Sequence, residues 1–164
     1  MPTPSPDSFC ISPLHQHPGL IPELARRHHP QWADVQPLMQ LSDWEKEFTR
    51  HARTGTPALP TTVVALDDDG TLLGSASLVH DDMDGVAPFS PWLANVLVAP
   101  AARGRGVGAA LMEAILEVAA ERAYAQIYLF TEDQQDFYAR RGWTLVEVRP
   151  HHGKTVSLMT RHTR

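Results

Sequence analysis

A chain of 164 residues, 43% apolar and 20% charged, has the size of one ordinary domain and can bury a core without disulfide or metal staples. It is too apolar for a disordered chain, and it has no run of the roughly 18–20 apolar residues that a membrane span needs. The formal net charge of −5 lacks the global basic footprint of a nucleic-acid binder, and the single cysteine, Cys10, excludes an internal disulfide and a cysteine-rich zinc site.

The opening Met1-Pro-Thr-Pro-Ser-Pro6 has neither a basic region nor an apolar run, so no secretory signal is read, and a reducing, cytoplasmic setting is the default expectation. Three prolines in residues 1–8 predict a flexible arm. Residues 9–14 read as a short strand, which Pro13 favours at a sheet edge. A helix follows over 19–29, with Pro22 in its first turn. The pair His28-His29 at its end reads as a favourable charge pairing with the helix C-terminus, or as lining for an acceptor cleft. Ser42-Asp-Trp-Glu45 is a capping-box pattern that opens a second helix, and Gly55 is its expected stop.

The period then changes. Residues 61–66 and 71–79 are strand-like and joined by the turn Asp67-Asp-Asp-Gly70, a solvated hairpin rather than a metal site. Asp81-Asp-Met-Asp-Gly85 reads as a loop and lacks calcium-loop spacing. Trp92-Leu-Ala-Asn-Val-Leu-Val98 is an apolar strand. Beyond it Val107, Ala110, Leu111, Ala114, Ile115, Val118 and Ala119 form one apolar stripe at spacings of three and four, which predicts an amphipathic helix. A strand over 125–130, a helix over 131–141 ended by Gly142, and strands over 143–149 and 155–160 complete the pattern. The last two flank the hairpin loop His151-His-Gly-Lys154. The order is mixed α/β, with hairpins around one strand–helix–strand unit, and that unit predicts a crossover between parallel strands.

Arg103-Gly-Arg-Gly-Val-Gly108 lies between the apolar strand and the helix N-terminus. Such a loop presents unpaired backbone N–H groups and a helix dipole to an anion. Gly104, Gly106 and Gly108 permit close backbone approach and positive φ, and Arg103 and Arg105 add local positive charge to an acidic chain. A pyrophosphate is the natural ligand; the plain alternative is a tight strand–helix turn. Gly104-x-Gly106-x-x-Ala109 formally satisfies the dinucleotide fingerprint, but five loop residues, Pro100 among them, separate Val98 from Gly104, and too little chain follows for a doubly wound sheet. A P-loop fails because no Walker Lys-Ser/Thr pair follows.

The same loop resembles the acetyl-CoA signature of the GNAT superfamily of N-acetyltransferases, Arg/Gln-x-x-Gly-x-Gly/Ala. Phe137-Tyr-Ala-Arg-Arg-Gly142-Trp143 resembles the second half of the family pattern, Phe-Tyr-x-x-x-Gly-Phe. The likeness covers residues 61–160 and extends to the earlier part in element order. His17, the helix after it as far as Trp32, and Thr131-Glu-Asp-Gln134 are similar to a subgroup of bacterial members and actin N-terminal acetyltransferases. The resemblance implies an α/β (α+β) fold: a mixed, mostly antiparallel twisted sheet of about six or seven strands, flanked by about four helices, with the central parallel crossover. It implies a single N-acetyltransferase domain over 9–164, acting as monomer or homodimer without nucleic acid, membrane or metal.

The activity implied is direct acetyl transfer from acetyl-CoA to the amine of a small molecule or peptide. On this resemblance the pyrophosphate meets Arg103, Gly104, Arg105, Gly106, Val107, Gly108 and Ala109, and the pantetheine arm pairs with Leu97 and Val98 like an added strand. The Val98 amide is the expected oxyanion donor. Tyr138 is the expected acid, protonating or hydrogen-bonding the departing thiolate. Many members carry an asparagine seven residues before this tyrosine; here that position is Thr131, with Gln134 or Asp133 as substitutes. For the proton of the acceptor amine the candidates are His152, Glu132, His80 and Asp82. Histidine is the side chain that ordinarily titrates near neutrality, which favours His152. A silent acyl-CoA-binding module and a nicotinamide-dinucleotide binder are the competing classes. The acidity of Asp81, Asp82, Asp84, Glu132 and Asp133 is compatible with a cationic acceptor.

Overall fold

The structure is a computed structural model that describes residues 8–34, 36–53, 59–82 and 89–164. Residues 1–7 of the expected arm, the expected helix stop at Gly55, and the Met83-Asp84-Gly85 part of the acidic loop lie outside the described residues. Seven strands form one sheet in the order β1-β2-β3-β4-β5-β7-β6. They are β1 (Cys10–Pro13), β2 (Thr61–Leu66), β3 (Leu72–Val79), β4 (Trp92–Val98), β5 (Gln126–Thr131), β6 (Thr144–His151) and β7 (Lys154–His162). Every neighbouring pair is antiparallel except β4 and β5, the parallel pair joined through a helix. The short β1 with Pro13 does lie at an edge, where a missing N–H costs no ladder bond.

Four α-helices accompany the sheet: α1 (Ile21–Gln31), α2 (Leu41–His51), α3 (Val107–Glu121) and α4 (Gln135–Ala139). The period-two alternation of β2 divides the core. Val64 and Leu66 pack with Leu24, Ala25, Trp44 and Phe48 of α1 and α2. Val63 and Ala65 belong to the cluster around Val107, Leu111, Ile115 and Ala119 of α3. The apolar stripe read in α3 is its buried face, with Leu111, Ile115 and Ala119 fully enclosed. The sheet thus separates two helical layers, each supplied by alternate residues of the same strands.

Three local expectations are corrected. α2 begins at Leu41, so Ser42 lies inside its first turn. The cap is Gln40, whose N–H donates to the Asp43 carboxylate at 2.8 Å, in place of the Ser42/Glu45 pair. α4 starts four residues late, because Thr131 Oγ1 accepts the Gln134 N–H at 3.0 Å and holds residues 131–134 in a turn. His28 is no exposed terminal charge. It is fully buried on the face of α1 that packs on α2, with its ring 5.5 Å from Trp44 and 4.8 Å from Phe48.

Candidate active site

β4 and β5 are in register only at Trp92 and Tyr128, and from Leu93 onward β4 continues beside β3 alone. The sheet therefore opens along its middle. Just past β4 the Ala99 N–H reaches Leu73 O at 2.8 Å, while within the strand Leu97 faces Ser75 and Val98 faces Gly74. Antiparallel alternation then turns the Leu97 amide toward β3 and the Val98 amide toward the opening. Two residues upstream the ladder breaks: Leu97 pairs Ser75 but Ala94 pairs Ser77, leaving Asn95 and Val96 against a single residue of β3. Asn95 takes φ +55°, in the left-handed region that asparagine tolerates. This is a β-bulge at the mouth of the opening.

Two cavities meet there. One, of about 350 Å³, is walled by Trp32, Gln36, Asp82, the bulge, Phe130, Thr131, Glu132, Asp133, His151 and His152. The other, of about 470 Å³, is walled by Val98, Arg103, Gly108, Met112, Gln134 and Phe137. Leu93, Val96 and Tyr138 line both. Tyr138 thus stands where the cavities join, its ring 5.9 Å from the buried Trp143. Burial raises its phenol above the ordinary tyrosine range, with the neighbouring Arg141 guanidinium opposing.

The second cavity runs to the loop before α3. Gly104 and Gly106 have φ +80° and +79° and open space where a β carbon would stand, so conformation rather than room requires glycine there. Gly108 is helical and carries no such constraint. Gly106 is the N-cap of α3 without a side-chain cap, and the first helical bond runs from Ala110 N–H to Gly106 O at 3.0 Å. The amides of Val107, Gly108 and Ala109 therefore precede that ladder and remain for an anion. Of the predicted cofactor residues, Val98, Arg103, Gly108, Gln134 and Tyr138 share this cavity, whereas Thr131 lines the other. Leu97 and Val107 are buried. Arg105 does not wall the cavity; its Nη2 reaches Ser8 O at 3.5 Å.

On the first cavity the structure gathers three of the four candidate bases, Asp82, Glu132 and His152, but not the exposed His80. Burial pushes the Asp82 carboxyl up to about 7. Glu132 lies 3.5 Å from Lys154 Nζ. His152 and Gly153 carry φ +48° and +78° as the two loop residues of the β6–β7 hairpin, a pair usually filled by Asn-Gly. The His152 ring lies 4.2 Å from that of His151, which meets the edge of Phe130 at 4.8 Å. Of the acidic residues read as suited to a cation, Asp82, Glu132 and Asp133 face this space, Asp81 does not, and Asp84 lies outside the described residues. Among the described residues no group of three His, Cys, Asp or Glu is placed to hold a metal, and no helix is long and apolar enough to cross a membrane.

Sequence reasoning missed Trp32, Gln36, Val96 and Met112 as walls. Its one available signal was Asn95, the lone polar residue within the strand Trp92–Val98.

Over 60 residues the chain is 42% identical to mouse N-alpha-acetyltransferase 80, a match covering 37% of this chain and 19% of that protein. The chain thus matches about a fifth of the length of that curated relative. A GCN5-related N-acetyltransferase from Kribbella flavida superposes with a TM-score of 0.73 at 20% identity, over 96% of this chain and 99% of that one. An aminoglycoside 6'-N-acetyltransferase complexed with coenzyme A gives 0.73 at 18% identity, over 94% and 97%. These two share the fold. The model of the acetyltransferase (GNAT) family matches residues 21–143, which takes in α1, the opened strand β4, the glycine loop and the Tyr138 segment, and the chain belongs to that family.

Proposed function

We propose that the protein moves an acetyl group from acetyl-CoA to a primary amine by direct attack in a ternary complex. The observation that carries this reading is the meeting of two cavities at Tyr138, across an opened sheet. The residues present suit the cosubstrate. The free first-turn amides of α3 and Arg103 would hold its pyrophosphate, and the outward edge of β4 at Val98 would pair with its extended arm. When bound there, acetyl-CoA supplies an activated thioester carbonyl.

The chain's own groups then have distinct tasks. The Val98 amide, aimed into the opening, polarises the thioester oxygen. The acidic first cavity receives the acceptor as a cation, and His152 takes its proton before the nitrogen attacks. Asp82 is the second group suited to that proton, because its carboxyl is held at about 7 beside the same space. As the carbon–sulfur bond breaks, the Tyr138 hydroxyl meets the sulfur. A phenol that burial holds above its ordinary range surrenders its proton less readily. Its contribution is therefore chiefly a hydrogen bond to the leaving sulfur, and the proton that the attacking nitrogen sheds as the amide forms neutralises the departing thiolate.

Thermal shift with acetyl-CoA, CoA and NADH tests the cofactor, and CoA release with an aminoglycoside, a polyamine and peptide N-termini tests the chemistry. Stabilisation by both CoA forms and release with at least one amine are expected. Stabilisation by NADH alone overturns the reading. Binding of CoA with no release from any amine class replaces it with a silent acyl-CoA-binding module.

A further inference from the structure

The bulge in β4 is held from the helical layer opposite α3. His28 Nε2 lies 3.2 Å from Asn95 O, and Gln31 Nε2 donates to Val96 O at 3.2 Å. The two donors are three residues apart on α1, one turn of one helix face, and they take two consecutive carbonyls of the bulge. The Asn95 side chain is tied from the same layer: its Nδ2 reaches Ser77 Oγ at 3.5 Å, Ser77 bonds Thr62 at 2.7 Å, and Thr62 meets His51 Nδ1 at 2.8 Å. His28 is itself immobilised, fully buried with Nδ1 2.8 Å from Leu24 O. Leu24 O lies one helical turn back, where the α1 ladder already supplies a donor. A neutral ring has one N–H for the Leu24 and Asn95 carbonyls, so His28 holds the bulge when that proton is on Nε2, while Gln31 donates to it in either tautomer.

A bulge aims the strand beyond it, and here that strand carries the amide edge from Val96 to Val98 that borders both cavities. We propose that His28 and Gln31 are positioning residues, a clamp from α1 that fixes the direction of this amide edge toward a thioester carbonyl. The inference rests on the acetyl-CoA reading above.

The test compares the affinities of acetyl-CoA and CoA by isothermal titration, since only the former offers the carbonyl. Gln31 is exposed, so Gln31→Met and Gln31→Glu keep the fold and length while removing the donor, and Gln31→Lys retains one. His28→Leu keeps apolar packing but loses the bond. The expected result, beyond any loss the two forms share through the pantetheine arm, is a wild-type preference for acetyl-CoA over CoA reduced about threefold or more in Gln31→Met, Gln31→Glu and His28→Leu and kept in Gln31→Lys. An unchanged preference in Gln31→Met and Gln31→Glu, equal loss in Gln31→Lys, or a wild-type preference of one overturns the clamp. Wild-type protein that binds neither CoA form overturns the acetyl-CoA reading instead.

Discussion

Tyr138 keeps its proton because desolvation raises the phenol and the Arg141 charge only partly opposes it. Tyr138→Phe removes the hydroxyl and leaves the ring against Phe137 and Trp143, so the fold and the cofactor cavity persist. A hydrogen bond to a developing charge is worth about 1.5–3 kcal/mol, and kcat should fall about tenfold to a hundredfold while the acetyl-CoA dissociation constant holds. Unchanged turnover with chemistry rate-limiting would remove Tyr138 from this role. His152 allows an unusually clean substitution. Its φ of +48° favours asparagine, so His152→Asn preserves the turn and should not lower the melting temperature. Loss of turnover in that variant would then report the imidazole. Wild-type kcat in His152→Asn, with a loss in Asp82→Asn, would transfer the proton-accepting role to Asp82. Tyr138 was legible because its neighbours form a local motif. His28 was not, because Trp44 and Phe48, which bury it, are far along the chain.

At the scale of elements, the glycine loop and α3 form one unit whose geometry follows from short-range rules. Gly106 caps α3 at φ +79°, where an L side chain costs about 1–2 kcal/mol and a β-branched one more. Gly106→Val should therefore lower both stability and acetyl-CoA affinity. Arg103 is exposed and walls the second cavity, so Arg103→Ala should leave the melting temperature alone and weaken acetyl-CoA about tenfold. Titration calorimetry beside a thermal melt separates the two, and wild-type affinity in both variants would sink the cradle. α3 and the strands were legible because their periods are long and regular. The bulge was not: it depends on the offset between β3 and β4 and on donors from α1, none of which leaves a pattern within β4 beyond one asparagine. The ends of α2 and α4 were misread because Gln40 with Asp43, and Thr131 with Gln134, make competing local bonds.

Across the whole molecule, mixed α/β order predicted the sheet, but its opening between β4 and β5 arises only when distant strands are paired. The same opening places Asp82 in a cavity wall, and this has a consequence for stability. A carboxyl held at about 7 in the folded protein and near 3.8 when unfolded binds more protons folded, so acidification from 7 toward 4 stabilises the fold. His28 acts in the opposite sense. Burial lowers its pKa below 6.5, against the bonds to Leu24 and Asn95 carbonyls, with the nearby His51 adding to the lowering. The unfolded chain then binds the extra proton, and stability falls as pH drops below 6.5. Glu47, held at about 2 by the His51 ring beside it and by Arg50, contributes stability above 4.5 that is lost as pH falls toward 2. Between pH 7 and 5 the melting temperature therefore reflects the Asp82 gain set against the His28 loss, and below 4.5 it should drop as Glu47 is protonated. Holding Asp82 at about 7 corresponds to at most about 4 kcal/mol, reduced by the partial exposure of the residue, and each kcal/mol moves the melting temperature about 2–4 °C in a domain of this size. Relative to wild type, Asp82→Asn should lose up to several degrees on acidification from 7 to 5, and His28→Leu should gain. Profiles that run parallel to wild type in both variants would show that neither group carries this pH dependence.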